Sequence, residues 1–164
     1  MKIYIGADHS GYELKEKLKI YLIDLGLGYQ IIDKGAFEYN PEDDYPDFIT
    51  QVAQSVANDH GTFGIIIGGS GQGEAMCANR VHGARAALFY GEVLPTAPID
   101  INGEQSADPF EIVKLARLHN DANILSIGVR FTTEDSAKFA IELFLKTEFQ
   151  HQERHMRRLA KFLP

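Results

Sequence analysis

The sequence predicts an α/β protein: a Rossmann-like three-layer αβα sandwich around a mainly parallel five-stranded sheet. Three observations support this fold class. Short apolar segments rich in β-branched residues alternate with amphipathic segments along the chain, a glycine-rich turn follows one of them, and 164 residues suffice for one core. We therefore expect a single domain over residues 1–164, with right-handed crossovers and a ligand site beyond the carboxyl ends of the strands.

The predicted elements alternate between strand and helix. Strands are expected where short aliphatic runs lie between turn residues; these are residues 2–7, 29–33, 63–68, 84–89 and 124–127. Helices are expected where apolar residues recur every three or four positions; these are residues 12–25, 48–57, 74–81, 111–118, 133–146 and 149–162. The first helix has the clearest start, because Ser10 and Glu13 have the spacing of a capping box.

Residues 91–109 interrupt this alternation. The segment contains three of the six prolines and two glycines, and it shows no sustained periodicity. It is long for a connection in a compact domain. Two interpretations remain open: a solvated insertion without a chemical role, or a lid over the site.

Composition and charge disfavour several functions. Sixteen Lys and Arg against 23 Asp and Glu give a net charge of −7, which opposes nonspecific binding to nucleic acid or to an anionic membrane. Cys77 is the single cysteine, so it can form neither an internal disulfide nor a multi-thiolate metal site. The sequence shows no long apolar run and no signal-type start, and we expect a cytoplasmic protein.

The first strand ends in a turn with two titratable side chains, Asp8 and His9. A carboxylate and an imidazole at the carboxyl end of a strand suit a polar ligand. Asp8 could equally cap the following helix, where the dipole favours an acid, with His9 as an exposed turn residue. These two residues alone do not decide between the interpretations.

The turn after the third strand has four glycines within residues 68–73, followed by Glu74. Glycines let the backbone approach a ligand and point several amides into one concavity. A dinucleotide fingerprint requires glycine or alanine where Glu74 stands, and the Lys-Ser or Lys-Thr of a triphosphate loop is absent. The turn predicts a base beside amides that stabilise an oxyanion; the alternative is a tight turn whose acid starts a helix.

Two clusters in the C-terminal half are less specific. His119 and Asn120 lie between a helix and the last strand, where such residues most often form an ordinary turn. Arg154 and Arg158 are one helical turn apart and could bind a phosphate-sized anion, or could simply offset the helix dipole. The terminal helix that carries them could lie across another subunit.

A metal site has weak support. Possible ligands are Asp8, His9, Glu74 and His119, but the sequence contains no HxxxH, HExxH or paired-carboxylate spacing. We therefore expect no metal.

Five segments together resemble the ribose-5-phosphate isomerase B family, which includes the galactose-6-phosphate isomerase subunits. They occur in the family's order and span nearly the whole chain: GADHSGYELK (6–15), DYPDF (44–48), GGSGQGEAMCANRVHGARAAL (68–88), ARLHNDANILSIGVR (116–130) and RHMRR (154–158). The resemblance implies an aldose–ketose isomerase that works through an enediolate without a metal or organic cofactor, with ribose 5-phosphate and ribulose 5-phosphate as the first choice of substrate. The alternatives are another tetrose, pentose or hexose phosphate, and a noncatalytic sugar-phosphate-binding subunit.

The resemblance also implies roles for individual residues. Glu74 matches the carboxylate that moves the proton between C1 and C2, and His119 matches the imidazole that opens the sugar ring. Asp8 matches a residue that handles hydroxyl protons, and Ser70 belongs to the site that holds the oxyanion. The remaining substrate-binding residues are His9, Tyr45, Gly69, Gly71, Gly73, Asn120, Arg130, Arg154 and Arg158, the last two from a neighbouring subunit of a homodimer or dimer of dimers.

Two features indicate how the chain compares with other members of the family that it resembles. One branch of the family uses a cysteine at the position of Gly68, so this chain is similar to the carboxylate branch, with Cys77 as a packing residue. Residues 91–109 exceed the corresponding connection in typical members. Substrate length and subunit contacts are the two properties that this insertion could change.

Overall fold

Five parallel strands form one sheet in the structure, a computed structural model that describes residues 1–162. The strands are β1 (Lys2–Ala7), β2 (Gln30–Asp33), β3 (Phe63–Gly68), β4 (Ala86–Phe89) and β5 (Ile124–Gly128). The helices are α1 (Tyr12–Asp24), α2 (Tyr45–Asn58), α3 (Gln72–Ala78), α4 (Glu111–Asn120), α5 (Glu134–Lys146) and α6 (Glu153–Leu159). The predicted three-layer α/β fold is confirmed, and every strand pair is parallel. Among the described residues, no helix is both long and apolar enough to cross a membrane.

The sheet is buried on both faces, as its aliphatic central strands require. Ile65 and Ile67 of β3 belong to a core cluster with residues of α1, α4 and α5, whereas Ile66 points to the opposite face and packs with α2 and α3. All three isoleucines have no exposed surface. The alternation along β3 therefore defines two helix layers.

The strand order β2-β1-β3-β5-β4 places a divergence point beside β1. The chain leaves β1 for β2 on one side and then returns to β3 on the other side. In parallel sheets, ligand crevices form where the connections diverge in this way. Because Ala7 is paired with Ile67, the residues that follow, Asp8 and Gly68, emerge next to each other at the carboxyl edge.

Several helix ends differ from the sequence predictions; helix α3, for example, spans Gln72–Ala78 instead of residues 74–81. The predicted capping box is wrong: Gly11 is the N-cap of α1, without a side-chain cap, and the Asp8 carboxylate accepts its N–H at 3.1 Å. Helix α2 begins earlier than predicted, with Pro46 in its first turn, where proline is well tolerated. Helix α6 is shorter than residues 149–162, because the Gln150 N–H donates to the Leu118 carbonyl of α4 and Gln152, the N-cap of α6, is extended.

A buried ion pair holds the connection that follows β2. The side chain of Lys15 is completely buried and donates to both carboxylate oxygens of Asp33, at 2.9 and 2.7 Å, and to the Ala36 carbonyl at 2.7 Å. The Ala36 N–H in turn donates to the Ala7 carbonyl at 2.7 Å. These contacts place the start of the β2–α2 loop against the carboxyl end of β1.

Candidate active site

Side chains from three connections meet at the carboxyl edge of the sheet. Asp8 follows β1, Glu74 lies in the first turn of α3, and Arg130 follows β5. Asp8 and Glu74 are buried, with 7% and 4% of their surfaces exposed, whereas Arg130 is exposed. The charges of Asp8 and Arg130 both act on the Glu74 carboxylate. Two acids and a guanidinium therefore share one small region.

The glycine turn is shaped around Glu74. A Cβ atom at Gly68 would lie only 1.9 Å from Glu74 Oε1, so the carboxylate occupies the space that a side chain at position 68 would need. Gly71 adopts φ 73°, a left-handed conformation that glycine tolerates, and this conformation directs the chain into α3. The Ser70 hydroxyl oxygen accepts the Gln72 N–H at 3.3 Å. The turn thus has room at this point for the Glu74 carboxylate or for a side chain at position 68, but not for both.

Two predicted binding residues lie directly on the same turn. Arg130 Cζ is 3.0 Å from the Cβ position of Gly69, and Tyr45 Cζ is 3.0 Å from that of Gly73. The Arg130 N–H also donates to the Gly69 carbonyl at 3.1 Å. The glycines therefore allow a cation and a phenol to approach the backbone beside Glu74.

The surroundings of Glu74 make it a stronger base than an ordinary glutamate. Burial raises the pKa of Glu74 above its usual 4.5, and the negative charge of Asp8 raises it further. A hydrogen bond from its own backbone amide and the charge of Arg130 oppose this rise only in part. A carboxylate with a raised pKa in a crevice is a candidate for general base catalysis.

His9 is held by Asp43, a residue that the sequence analysis missed. Asp43 Oδ1 accepts the His9 backbone N–H at 3.0 Å and lies 2.6 Å from His9 Nδ1. This hydrogen bond is the main cause that raises the pKa of His9 above 6.5, so the ring is more readily cationic and suited to an anion. An acidic run at residues 42–44 was visible in the sequence, but no pattern placed it beside His9.

The same neighbourhood contains a possible metal-binding group. Asp8, His9 and Asp43 each offer one ligand atom, and these atoms lie within 4.8 Å of one another. However, His9 Nδ1 faces Asp43 Oδ1 in a hydrogen bond that favours the protonated ring. A metal ion would have to compete with that proton.

Four other predicted site residues lie far from Glu74 within the chain: His119, Asn120, Arg154 and Arg158. Helix α4 runs antiparallel to the strands, so His119 in its last turn lies near the edge where β5 begins. Glu74 lies at the edge where the strands end, and β5 separates the two edges by about 16 Å at ordinary strand rise. Arg154 and Arg158 are close enough to His119 for their charges to affect it. The predicted site is therefore divided into two halves at opposite edges of one chain.

His119 has a defined environment in its half of the site. Its ring stacks on that of His155, with centroids 4.3 Å apart and planes at 12°, and Arg154 Nε donates to His155 Nε2 at 3.1 Å. Burial lowers the pKa of His119, and the charge of Arg154 lowers it further. Asn120, the next residue, borders a separate groove of about 910 Å³.

Comparisons with known proteins agree with this architecture. The sequence pattern of a family described as Ribose/Galactose Isomerase matches residues 3–97 and 106–162. Ribose-5-phosphate isomerase B from Mycobacterium leprae is 38% identical over 97% of this chain and 86% of its own length. The enzyme of that name from Escherichia coli is 31% identical over 93% of this chain and 91% of its own.

A solved structure extends the likeness to three dimensions. Ribose-5-phosphate isomerase B from Mycoplasma genitalium, crystallised with bound ribulose 5-phosphate, superposes with a TM-score of 0.81 at 33% identity, over 98% of this chain and 92% of that one. The parallel sheet and these matches define the class of protein as an α/β sugar isomerase. The chain belongs to the ribose/galactose isomerase family.

Proposed function

We propose that this chain interconverts ribose 5-phosphate and ribulose 5-phosphate through an enediolate, in a site shared by two copies of the chain. The observation that carries the proposal is the buried Glu74 carboxylate beside Asp8, at the divergence point of the sheet and over a glycine turn. Relatives over almost the whole chain bear the name ribose-5-phosphate isomerase B, and one of them was crystallised with ribulose 5-phosphate.

The first chemical step opens the sugar ring. The imidazolium of His119 donates a proton to the ring oxygen O4 as the C1–O4 bond breaks, and Asp8 accepts the proton of the C1 hydroxyl. The product is an open-chain aldehyde. Because the step needs both residues, the two halves of the site have to meet for ring opening to occur.

The second step moves hydrogen between two carbons. Glu74 removes the C2 proton, which forms an enediolate whose negative charge on O1 lies beside the Ser70 turn, and Asp8 then returns a proton to O1 to give the enediol. Asp8 then accepts the O2 proton as Glu74 delivers its proton to C1, and the ketose results. The proton left on Asp8 returns to His119 through solvent, so the enzyme regains its starting state.

The phosphate has candidate partners in both halves. His9 and Arg130 lie at the carboxyl edge, where Asp43 favours the cationic form of His9. Arg154 and Arg158 lie with His119 at the other edge. In a chain of net charge −7, these cations provide a local site for an anion that the mean field would repel.

The distance between the halves supports a shared site. Within one chain His119 cannot approach Glu74, because the length of β5 separates them. In a two-fold homodimer of this kind, the α4 and α6 end of each copy lies against the Glu74 edge of the other copy. The dimer then contains two equivalent sites. A dimer of such dimers contains the same pairs.

The substrate choice is tested by direct assay of the purified protein. Ribose 5-phosphate, erythrose 4-phosphate and galactose 6-phosphate would be incubated separately, and ketose formation followed by NMR. We expect the highest kcat/KM with ribose 5-phosphate. If the protein isomerised only one of the other sugar phosphates, that sugar phosphate would be assigned as the substrate instead. Tight binding without any turnover would favour a noncatalytic binding subunit.

Activity should fall at acidic pH because of Glu74. Only the ionised carboxylate accepts a proton, so kcat/KM is maintained above the raised pKa and is lost as the pH falls through it. Initial rates across the acidic and neutral range should give an apparent pKa above 4.5, the usual value for a glutamate. Circular dichroism at each pH separates this titration from acid unfolding. An acidic limb of kcat/KM with an apparent pKa at or below 4.5 would contradict the assignment of Glu74 as the base.

Chelation should leave the activity unchanged. The proposed steps use Asp8, Glu74, His119 and backbone amides, and none of them requires a cation. The protein would be treated with excess chelator, dialysed, checked for residual metal by elemental analysis and assayed. A loss of activity that one divalent metal restores would instead assign Asp8, His9 and Asp43 to a metal site.

A further inference from the structure

Residues 98–105 are additional to the family pattern. The family match covers residues 3–97 and 106–162 and leaves this stretch out. It lies within the predicted insertion at residues 91–109, which contains neither helix nor strand in the structure. The stretch therefore lies outside the pattern that defines the family.

Residues 98–105 form an ordered turn. The Ile99 N–H donates to the Glu104 carbonyl at 2.8 Å, which brings the ends of the turn together. Asp100 Oδ1 accepts the N–H groups of Asn102 and Glu104 at 2.9 and 3.0 Å, and Gly103 supplies a left-handed φ of 83°. These hydrogen bonds lower the pKa of Asp100, the Glu104 amide contributing most. The turn thus carries a negative charge that is fixed in place.

The turn faces the His119 half of the site. A cavity of about 340 Å³ is lined both by residues of the turn and by His119 and Arg154; the turn residues are Ile99, Asp100, Glu104 and Gln105. The floor is one stripe of α4: Glu111, Lys114, Leu115 and Leu118. The chain just beyond the turn is anchored to this stripe, because the Ser106 hydroxyl donates to a carboxylate oxygen of Glu111 at 2.6 Å.

Charges of both signs act on His119. Arg154 and Arg158 of α6 disfavour its protonation, and Asp100 of the turn and Glu111 of α4 favour it. Lys114 and Glu104 line the same cavity, and the stacked His155 accepts a hydrogen bond from Arg154. Of the two acids that favour the cationic ring, Asp100 has the larger effect and belongs to the insertion. Asp100 is therefore the main local counterweight to Arg154.

We propose that Ile99, Asp100, Glu104 and Gln105 of this turn form a wall of the sugar-phosphate site and that Asp100 is a positioning residue that keeps His119 competent to donate a proton during ring opening. The proposal rests on the proposed function, since it assigns a task to the same His119. It also explains how an imidazole that is affected by two candidate phosphate-binding arginines can still act as an acid: the turn supplies a negative charge in the cavity that His119 lines.

The kinetic test compares two substitutions in the same turn. Asp100→Asn removes the charge and keeps an oxygen acceptor for the turn amides, and Ile101→Ser changes a residue that is 78% exposed and does not line the cavity. With ribose 5-phosphate, Asp100→Asn should move the alkaline limb of kcat/KM to lower pH, because His119 loses its proton earlier. At slightly alkaline pH, kcat/KM should drop about threefold or more. Ile101→Ser should reproduce the wild-type profile.

A binding measurement tests whether the turn borders the bound sugar phosphate, and it does not depend on turnover. Hydrogen–deuterium exchange of residues 98–105 would be followed in the inactive Glu74→Gln protein, with and without saturating ribose 5-phosphate. We expect slower exchange in the bound state. An unchanged alkaline limb in Asp100→Asn, or exchange that the sugar phosphate does not alter, would overturn this inference. A wild-type protein that does not isomerise any sugar phosphate would overturn the proposed function instead.

Discussion

Glu74→Gln should lower kcat by about 10³-fold or more while KM for ribose 5-phosphate changes little. The amide has the size of the carboxylate and fills the same space over Gly68, but it cannot accept the C2 proton. Substrate contacts from the Ser70 turn and the cations remain in place. Steady-state kinetics with the purified variant measure both constants.

Two controls accompany this variant. Cys77 is half-buried with its Sγ 3.5 Å from Thr50 Oγ1, so Cys77→Ser should keep nearly full turnover. The folded protein raises the pKa of Glu74, so the ionised side chain lowers the free energy of unfolding above that pKa. Glu74→Gln should therefore melt at the same or a higher temperature than the wild type at neutral pH. Near-native turnover of Glu74→Gln would show that another group is the base.

Mixing two inactive variants should restore about a quarter of the wild-type activity, because half of the random dimers are heterodimers with one intact site of two. One variant is Glu74→Gln, and the other carries Arg154→Ala and Arg158→Ala. In the heterodimer one site holds both lesions, and the other combines the intact Glu74 with the intact arginines. The proteins would be dissociated in denaturant, mixed, refolded and assayed.

A reciprocal mixture is the matched control. A chain with all three substitutions, mixed with wild type, should give inactive heterodimers, because each shared site contains at least one lesion. If each site belonged to one chain, these heterodimers would retain one active site, and the first mixture would stay inactive. Native mass spectrometry confirms that heterodimers have formed in both mixtures.

The fold was predictable because its strands and helices have strong local signals. The aliphatic run of β3 and the glycine turn after it predicted both a buried strand and a ligand site at its carboxyl end. Helix starts were less predictable. The Ser10 and Glu13 pattern has the spacing of a capping box, but Gly11 is the N-cap, and its N–H donates to the Asp8 carboxylate of the preceding turn.

The two halves of the candidate site differ in how far the sequence could describe them. Asp8 and Glu74 follow neighbouring strands, so topology alone predicts that they meet. The contact of His9 with Asp43 spans a long loop, and the presence of Asp100 and His119 in one cavity depends on a turn that lies along α4. Neither arrangement has a local pattern, because both depend on how loops lie on the finished sheet.

Proton transfer between C1 and C2 is tested most directly by isomerisation in deuterated water. Ribose 5-phosphate would be converted by the wild-type protein and by Glu74→Gln, and the ribulose 5-phosphate examined by NMR. We expect solvent deuterium at C1 of the ketose with the wild type, because the proton on Glu74 exchanges with solvent before it is delivered. Glu74→Gln should show almost no product and no exchange. Full conversion without any deuterium at C1, under conditions of many turnovers, would indicate direct hydride transfer and contradict the enediolate mechanism.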